Sequence, residues 1–178
     1  MSSECLWSPA FINYGVSSGI FYMTQYVLVA ALPIILTAEL GGTALDAGLA
    51  MTYFQIGTIL CRPFAGRLID GVDKRIILLI SSVLFFIIMG LFNLTTSLQT
   101  IFVLRGIHGA IFALGTTVMA ALAVVVLPAS RKGEGINMFA VFSNGIRACC
   151  WFIYITSLWK FSAIYFSDYN DCASFYFK

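Results

Sequence analysis

Long apolar stretches separated by short polar ones govern this chain, and the stretches match a bilayer in length. A hydrocarbon core of about 30 Å takes roughly 20 apolar residues in a helix, because hydrocarbon offers a backbone amide no partner outside the helix. By that measure the pattern predicts four clear spans, near Phe11 to Leu36, Ala47 to Ile69, Ile76 to Leu94 and Leu98 to Leu127. A fifth, near Ile136 to Leu158, is weaker, because Arg147 stands in its middle, where an arginine costs about 2.5 to 3.5 kcal/mol on insertion scales. The first span is too long for a signal peptide and is interrupted by Asn13, Ser17, Ser18 and Gln25. No basic residue precedes it, so it is expected to stay in the mature chain.

Composition agrees with the pattern. Hydrophobic residues make up 60% of the chain and charged residues 10%, and the mean hydropathy is +0.94. A soluble domain cannot cover itself with so little polar surface, so the expected partner is the lipid bilayer. A net charge of +2 gives no reason to expect nucleic acid. Cys5, Cys61, Cys149, Cys150 and Cys172 form no C-x-x-C pair and have no histidine at ligand spacing, which argues against a disulfide framework or a zinc site. No nucleophile, metal or phosphate-loop pattern is found, so neither enzyme nor cofactor is expected. Asn93-Leu94-Thr95 matches a glycosylation sequon but lies close to the membrane.

Loop charge predicts the orientation. The connection after the first span carries Glu39 and Asp46 but no cation, and Thr95 to Thr100 carries no charge. The other two connections hold Arg67, Lys74 and Arg75, then Arg131 and Lys132. Basic residues stay on the cytoplasmic side, so the amino terminus is expected inside the cell; the expected location, a separate expectation, is the plasma membrane.

The hydrophilic interruption Gly66-Arg67-Leu68-Ile69-Asp70-Gly71-Val72-Asp73-Lys74-Arg75 resembles the loop between the second and third helices of the major facilitator superfamily, where the pattern is G-x-L-a-D-r-x-G-r-k. Gly66, Leu68, Asp70, Lys74 and Arg75 fit it; Gly71 replaces a basic residue and Asp73 a glycine. The resemblance implies that this loop latches helix ends in one of two alternating states. Asp70 lies at a helix carboxyl end, where backbone carbonyls disfavour an anion, so a partner is expected among Arg67, Lys74, Arg75 or a neighbouring helix end. A plain solvated turn is the alternative.

In the fourth span, Leu104-Arg105-Gly106-Ile107-His108-Gly109-Ala110 resembles the family's R-x-x-q-G pattern, with His108 in the glutamine position. Arg105 is about seven residues inside the span, roughly 10 Å at 1.5 Å per residue. The resemblance gives such an arginine a part in proton coupling or in organising the substrate path, with Gly109 allowing close helix contact. Snorkelling to the interface is the other reading of Arg105; His108 reads either as a proton carrier or as a hydrogen-bonded structural residue. Arg62, before Pro63, reads as an interfacial anchor beside a kink, with a role in the pathway as the alternative.

Tyr14, Ser18, Tyr22 and Gln25 recur at steps of four, four and three, making one polar and aromatic stripe on the first span. The resemblance places that helix beside the central cavity, so the stripe is a substrate-path candidate; internal packing competes with that reading. Gly15 and Gly19 form a small-xxx-small pair that predicts a helix contact.

Beyond Asn144 the composition changes. From Gly145 onward there is no valine and one leucine, yet three of the five cysteines and two of the three tryptophans lie there. The expected organisation is therefore residues 11–144 as helices one to four and the start of a fifth, followed by a divergent or out-of-frame tail, 145–178. The expected fold is all-α: a polytopic membrane helix bundle, part of the amino-terminal half of a facilitator fold. The expected function is secondary active transport of small molecules, by proton-coupled efflux. A small membrane scaffold that joins a partner chain, and a nonfunctional transporter fragment, are the alternatives.

Overall fold

The computed structural model describes residues 6–38, 40–145 and 148. Four helices carry the fold: α1 Pro9–Ala38, α2 Ala44–Gly71, α3 Lys74–Phe92 and α4 Leu98–Val125. A 3-10 turn, Ala129–Arg131, follows, and residues 132–145 are again helical, as α5. Among the described residues, four helices are long and apolar enough to cross a membrane. The shortest, α3, has 19 residues, about 28 Å at 1.5 Å per residue, which just spans a hydrocarbon core. The expected fifth span, Ile136 to Leu158, is described only to 145, and the tail 145–178 lies outside the described residues apart from Gly145 and Ala148.

Local chemistry places the ends. Ser8 Oγ accepts from Phe11 N at 3.2 Å, and Pro9, which has no N–H to lose, opens α1. Thr43 and Asp46 form a reciprocal capping box at α2: Thr43 N donates to Asp46 Oδ2 at 2.7 Å and Asp46 N to Thr43 Oγ1 at 3.4 Å. These bonds hold the Asp46 carboxyl below the ordinary carboxylate range. Only Val72 and Asp73 separate α2 from α3. Asp73 caps α3 by accepting from Arg75 N at 2.9 Å. The hydrophilic interruption is therefore helix almost throughout, and α2 also runs on through Pro63.

The bundle is organised around α4, which packs against α1, α2 and α3. Over its most apolar stretch α4 is 56% buried, against 22% for α2 and α3. The other helices turn large apolar side chains outward: Ile59, Leu60 and Phe64 on α2, and Leu79 and Phe86 on α3, are each more than 60% exposed. In water such surface would drive aggregation; in a bilayer it is the lipid face. Phe21 of α1 stacks on Phe85 of α3 with ring centroids 4.3 Å apart.

The closest approach is between α2 and α4, and two glycines permit it. A Cβ on Gly57 would overlap the Gly106 carbonyl, and one on Gly109 would overlap the Phe54 carbonyl. Beside that crossing Thr58 Oγ1 donates to Gly109 O at 3.2 Å and to Phe54 O at 3.0 Å. Small residues at crossings are how helices pack when lipid tails are as apolar as side chains. Gly15 faces Phe142 of α5, whose ring lies 3.5 Å from a Cβ built there.

Candidate functional site

Arg105 is fully buried, and so is His108 one turn further along α4. The guanidinium lies between α1, α2 and α3. Its Nη1 donates to Gln25 Oε1 at 3.3 Å and its Nη2 to Met51 Sδ at 3.5 Å. Its Cζ lies 5.5 Å from the centroid of Phe54 and 6.0 Å from that of Phe92. Nε has no hydrogen-bond partner. Snorkelling does not describe this arginine, because its head is held within the bundle.

The compensation for that charge is thin. Burying a guanidinium costs several kcal/mol even after relaxation. Each ring contact at this range returns about 0.5 to 2 kcal/mol, and a thioether is a weak acceptor. Among the described residues no carboxylate pairs with Arg105. Of the five guanidinium N–H groups only two find an acceptor among the described residues.

His108 sits among phenylalanines, with ring centroids of Phe85, Phe54 and Phe92 at 5.1, 5.2 and 6.0 Å. Neither imidazole nitrogen has a hydrogen-bond partner. The hydrogen-bonded structural histidine of the alternative reading is not what this cage holds.

The polar stripe of α1 divides by role. Ser18 is buried and accepts from Ser143 Oγ of α5 at 3.1 Å. Tyr14 is half-buried and packs against two core clusters, one containing Phe11 and Leu127 and the other Val118 and Leu122. Tyr22 meets Phe112 edge-on at 5.2 Å. Tyr22 and Gln25 also line a cavity of about 430 Å³, within the size range of small-molecule sites. Its α2 wall is Phe54 together with Met51, Gln55, Thr58 and Arg62. Sequence reasoning singled out only Arg62 of these, although Met51, Gln55, Thr58 and Arg62 recur at steps of four, three and four and mark one face of a helix. Arg62 is exposed and stands on this wall.

The loop residues Gly66, Leu68 and Asp70 occupy the last turns of α2, and Lys74 and Arg75 the first turn of α3. Asp70 is exposed and forms no ion pair with Arg67, Lys74 or Arg75. Both sets of charges oppose the helix dipoles beside them, an anion at a carboxyl end and cations at an amino end, each worth about 0.3 to 1 kcal/mol. Asp73, at the N-cap, is the anion that the first turn of α3 uses.

The profile of the Major Facilitator Superfamily matches residues 14–167 of this chain. No curated protein matches it, and no solved structure does.

Proposed function

The chain belongs to the major facilitator superfamily, and from that premise we propose a proton-coupled transporter that moves small molecules out of the cell. It is an integral membrane protein of the transporter kind. One observation carries the finer reading: a buried arginine in the membrane interior whose charge is incompletely compensated, with an unpartnered histidine one turn away. Such a pair changes its energy sharply when an ion or proton arrives, which a coupling device requires. Arg105 and His108 take the coupling role in this reading, and Gly109 lets α2 close on α4 beside them.

Tyr22 and Gln25 belong to the substrate path, with Tyr14 and Ser18 supporting α1 behind them. Gly66, Leu68, Asp70, Lys74 and Arg75 are the latch, open in this arrangement; pairing of Asp70 in the alternate state would remove two unfavourable dipole contacts at once. Helices α1, α2 and α4 wall the cavity, so the reading requires further helices opposite them in the same membrane. The loops at Lys74 and Lys132 face the cytoplasm of a cell whose plasma membrane holds the protein.

The test is transport into everted membrane vesicles under an imposed pH gradient. Arg105→Ala is expected to abolish gradient-driven movement, and Arg62→Ala to reduce it less. Equal tolerance of both substitutions, at equal protein level, overturns the coupling role.

A further inference from the structure

We propose that the cavity between α1 and α2 selects organic anions with an aromatic body, and that Gln25 is the residue that sets this preference. The inference rests on the transporter reading and names its substrate class.

The argument begins at Arg105, which can only donate hydrogen bonds. Because its Nη1 meets the Gln25 side chain at 3.3 Å, the amide must turn its oxygen toward the guanidinium. The amide nitrogen then faces away from Arg105, with two N–H donors and no hydrogen-bond partner among the described residues. Gln25 is itself part of the cavity wall. A buried cation behind the wall thus fixes a neutral side chain as a donor in front of it.

The rest of the wall has matching chemistry. Arg62 adds a full positive charge, and among the described lining residues there is no carboxylate. Thr58 is already committed as a donor to two backbone carbonyls. Tyr22, Phe54 and Phe112 supply aromatic faces. Arg62 follows Phe54 by eight residues, about 12 Å along α2, so the wall carries its aromatic face and its cation at different levels. A cationic ligand would meet Arg62 on the wall and the field of the buried Arg105 behind it, and no carboxylate among the described lining residues.

Equilibrium binding to the full chain in phosphatidylcholine nanodiscs tests this, with naphthalene-2-carboxylate, its neutral amide and 2-naphthylmethylammonium as probes. The carboxylate is expected to bind about tenfold or more tightly than either analogue, the worth of one hydrogen bond to a charged group. Gln25→Glu keeps the shape and strengthens the contact with Arg105, so the fold survives. It replaces the N–H donors with acceptor oxygen, and the ammonium probe is then expected to outrank the carboxylate. A Gln25 that merely packs would leave the ranking unchanged, and that result overturns the proposal.

Arg62→Gln, at an exposed position, is expected to narrow the preference without inverting it. Equal binding of the three probes to the parent chain, or binding of none, also overturns the inference. No pH gradient is present in this measurement. Intact gradient-driven transport with a flat probe ranking therefore refutes the anion preference alone, whereas equal tolerance of Arg105→Ala and Arg62→Ala in transport, with the ranking preserved, refutes only the coupling role.

Discussion

Gly109→Ala is expected to destabilise the bundle, while the same substitution at Gly48 stabilises it. A Cβ on Gly109 overlaps the Phe54 carbonyl oxygen and lies 3.0 Å from its carbon and 3.1 Å from Thr58 N. All three are backbone atoms, so no rotamer change relieves the overlap and α2 must move away from α4. Overpacking costs about 1 to 3 kcal/mol, and an obstruction made of backbone belongs at the upper end of that range. Separation also stretches the bond from Thr58 Oγ1 to Gly109 O, now 3.2 Å, worth about 0.6 kcal/mol between membrane helices. Alanine returns about 1 kcal/mol through helix propensity, which leaves a net loss of about 2 to 3 kcal/mol.

At Gly48 a Cβ meets nothing within 4 Å, so only the propensity gain of about 1 kcal/mol remains. The assay is reversible unfolding in detergent, with parent, Gly109→Ala, Gly48→Ala and Gly57→Ala measured together. The two crossing glycines are expected to shift the midpoint down and Gly48 up. The double variant Gly57→Ala/Gly109→Ala should lose less than the two single losses combined, because one separation serves both. A Gly109→Ala protein as stable as its parent would refute the close approach of α2 and α4.

Asp73→Ala removes the α3 cap and is expected to cost about 1 kcal/mol in the same unfolding assay. Asp70→Asn, at an exposed and unpaired carboxylate, should leave stability unchanged while slowing vesicle transport; unchanged transport at equal expression reduces the loop to a topology signal. Asp46 has a depressed pKa in the folded chain, so its contribution is present above the unfolded value and is lost as pH falls through the folded one. Stability should therefore decline below roughly pH 4, with a smaller decline in Thr43→Ala, measured by unfolding across a pH series. Single cysteines at positions 41 and 97, in a chain freed of its native cysteines, should react with an impermeant reagent in intact cells, and those at 73 and 132 should not. Labelling at 73 would reverse the orientation.

What the sequence determined by itself is the set of properties that add up locally. Burial of about 20 apolar residues in hydrocarbon is a sum along one helix, so the four expected spans agree with α1 to α4 to within a few residues at each end. The small departures come from caps such as Thr43 with Asp46, and Asp73, which extend helices past the apolar run. Membership in the superfamily was legible for the same reason, in short motifs whose residues lie within one turn or loop.

The partners of those residues were decided by tertiary structure. Gln25 and Arg105 stand 80 positions apart and meet only because α1 and α4 take one rotation about their axes. The same rotation sends Ser18 to Ser143 and Tyr22 to the cavity, dividing a stripe that appears continuous in sequence. The resemblance pointed to Gly109 as a close helix contact, but nothing in the sequence separates its counterpart Gly57 from Gly48, and of those two only Gly57 lies at the crossing. A helix carries its hydropathy with it, whereas which side chains face each other depends on how rigid cylinders are turned and packed, and that is a property of the assembled bundle.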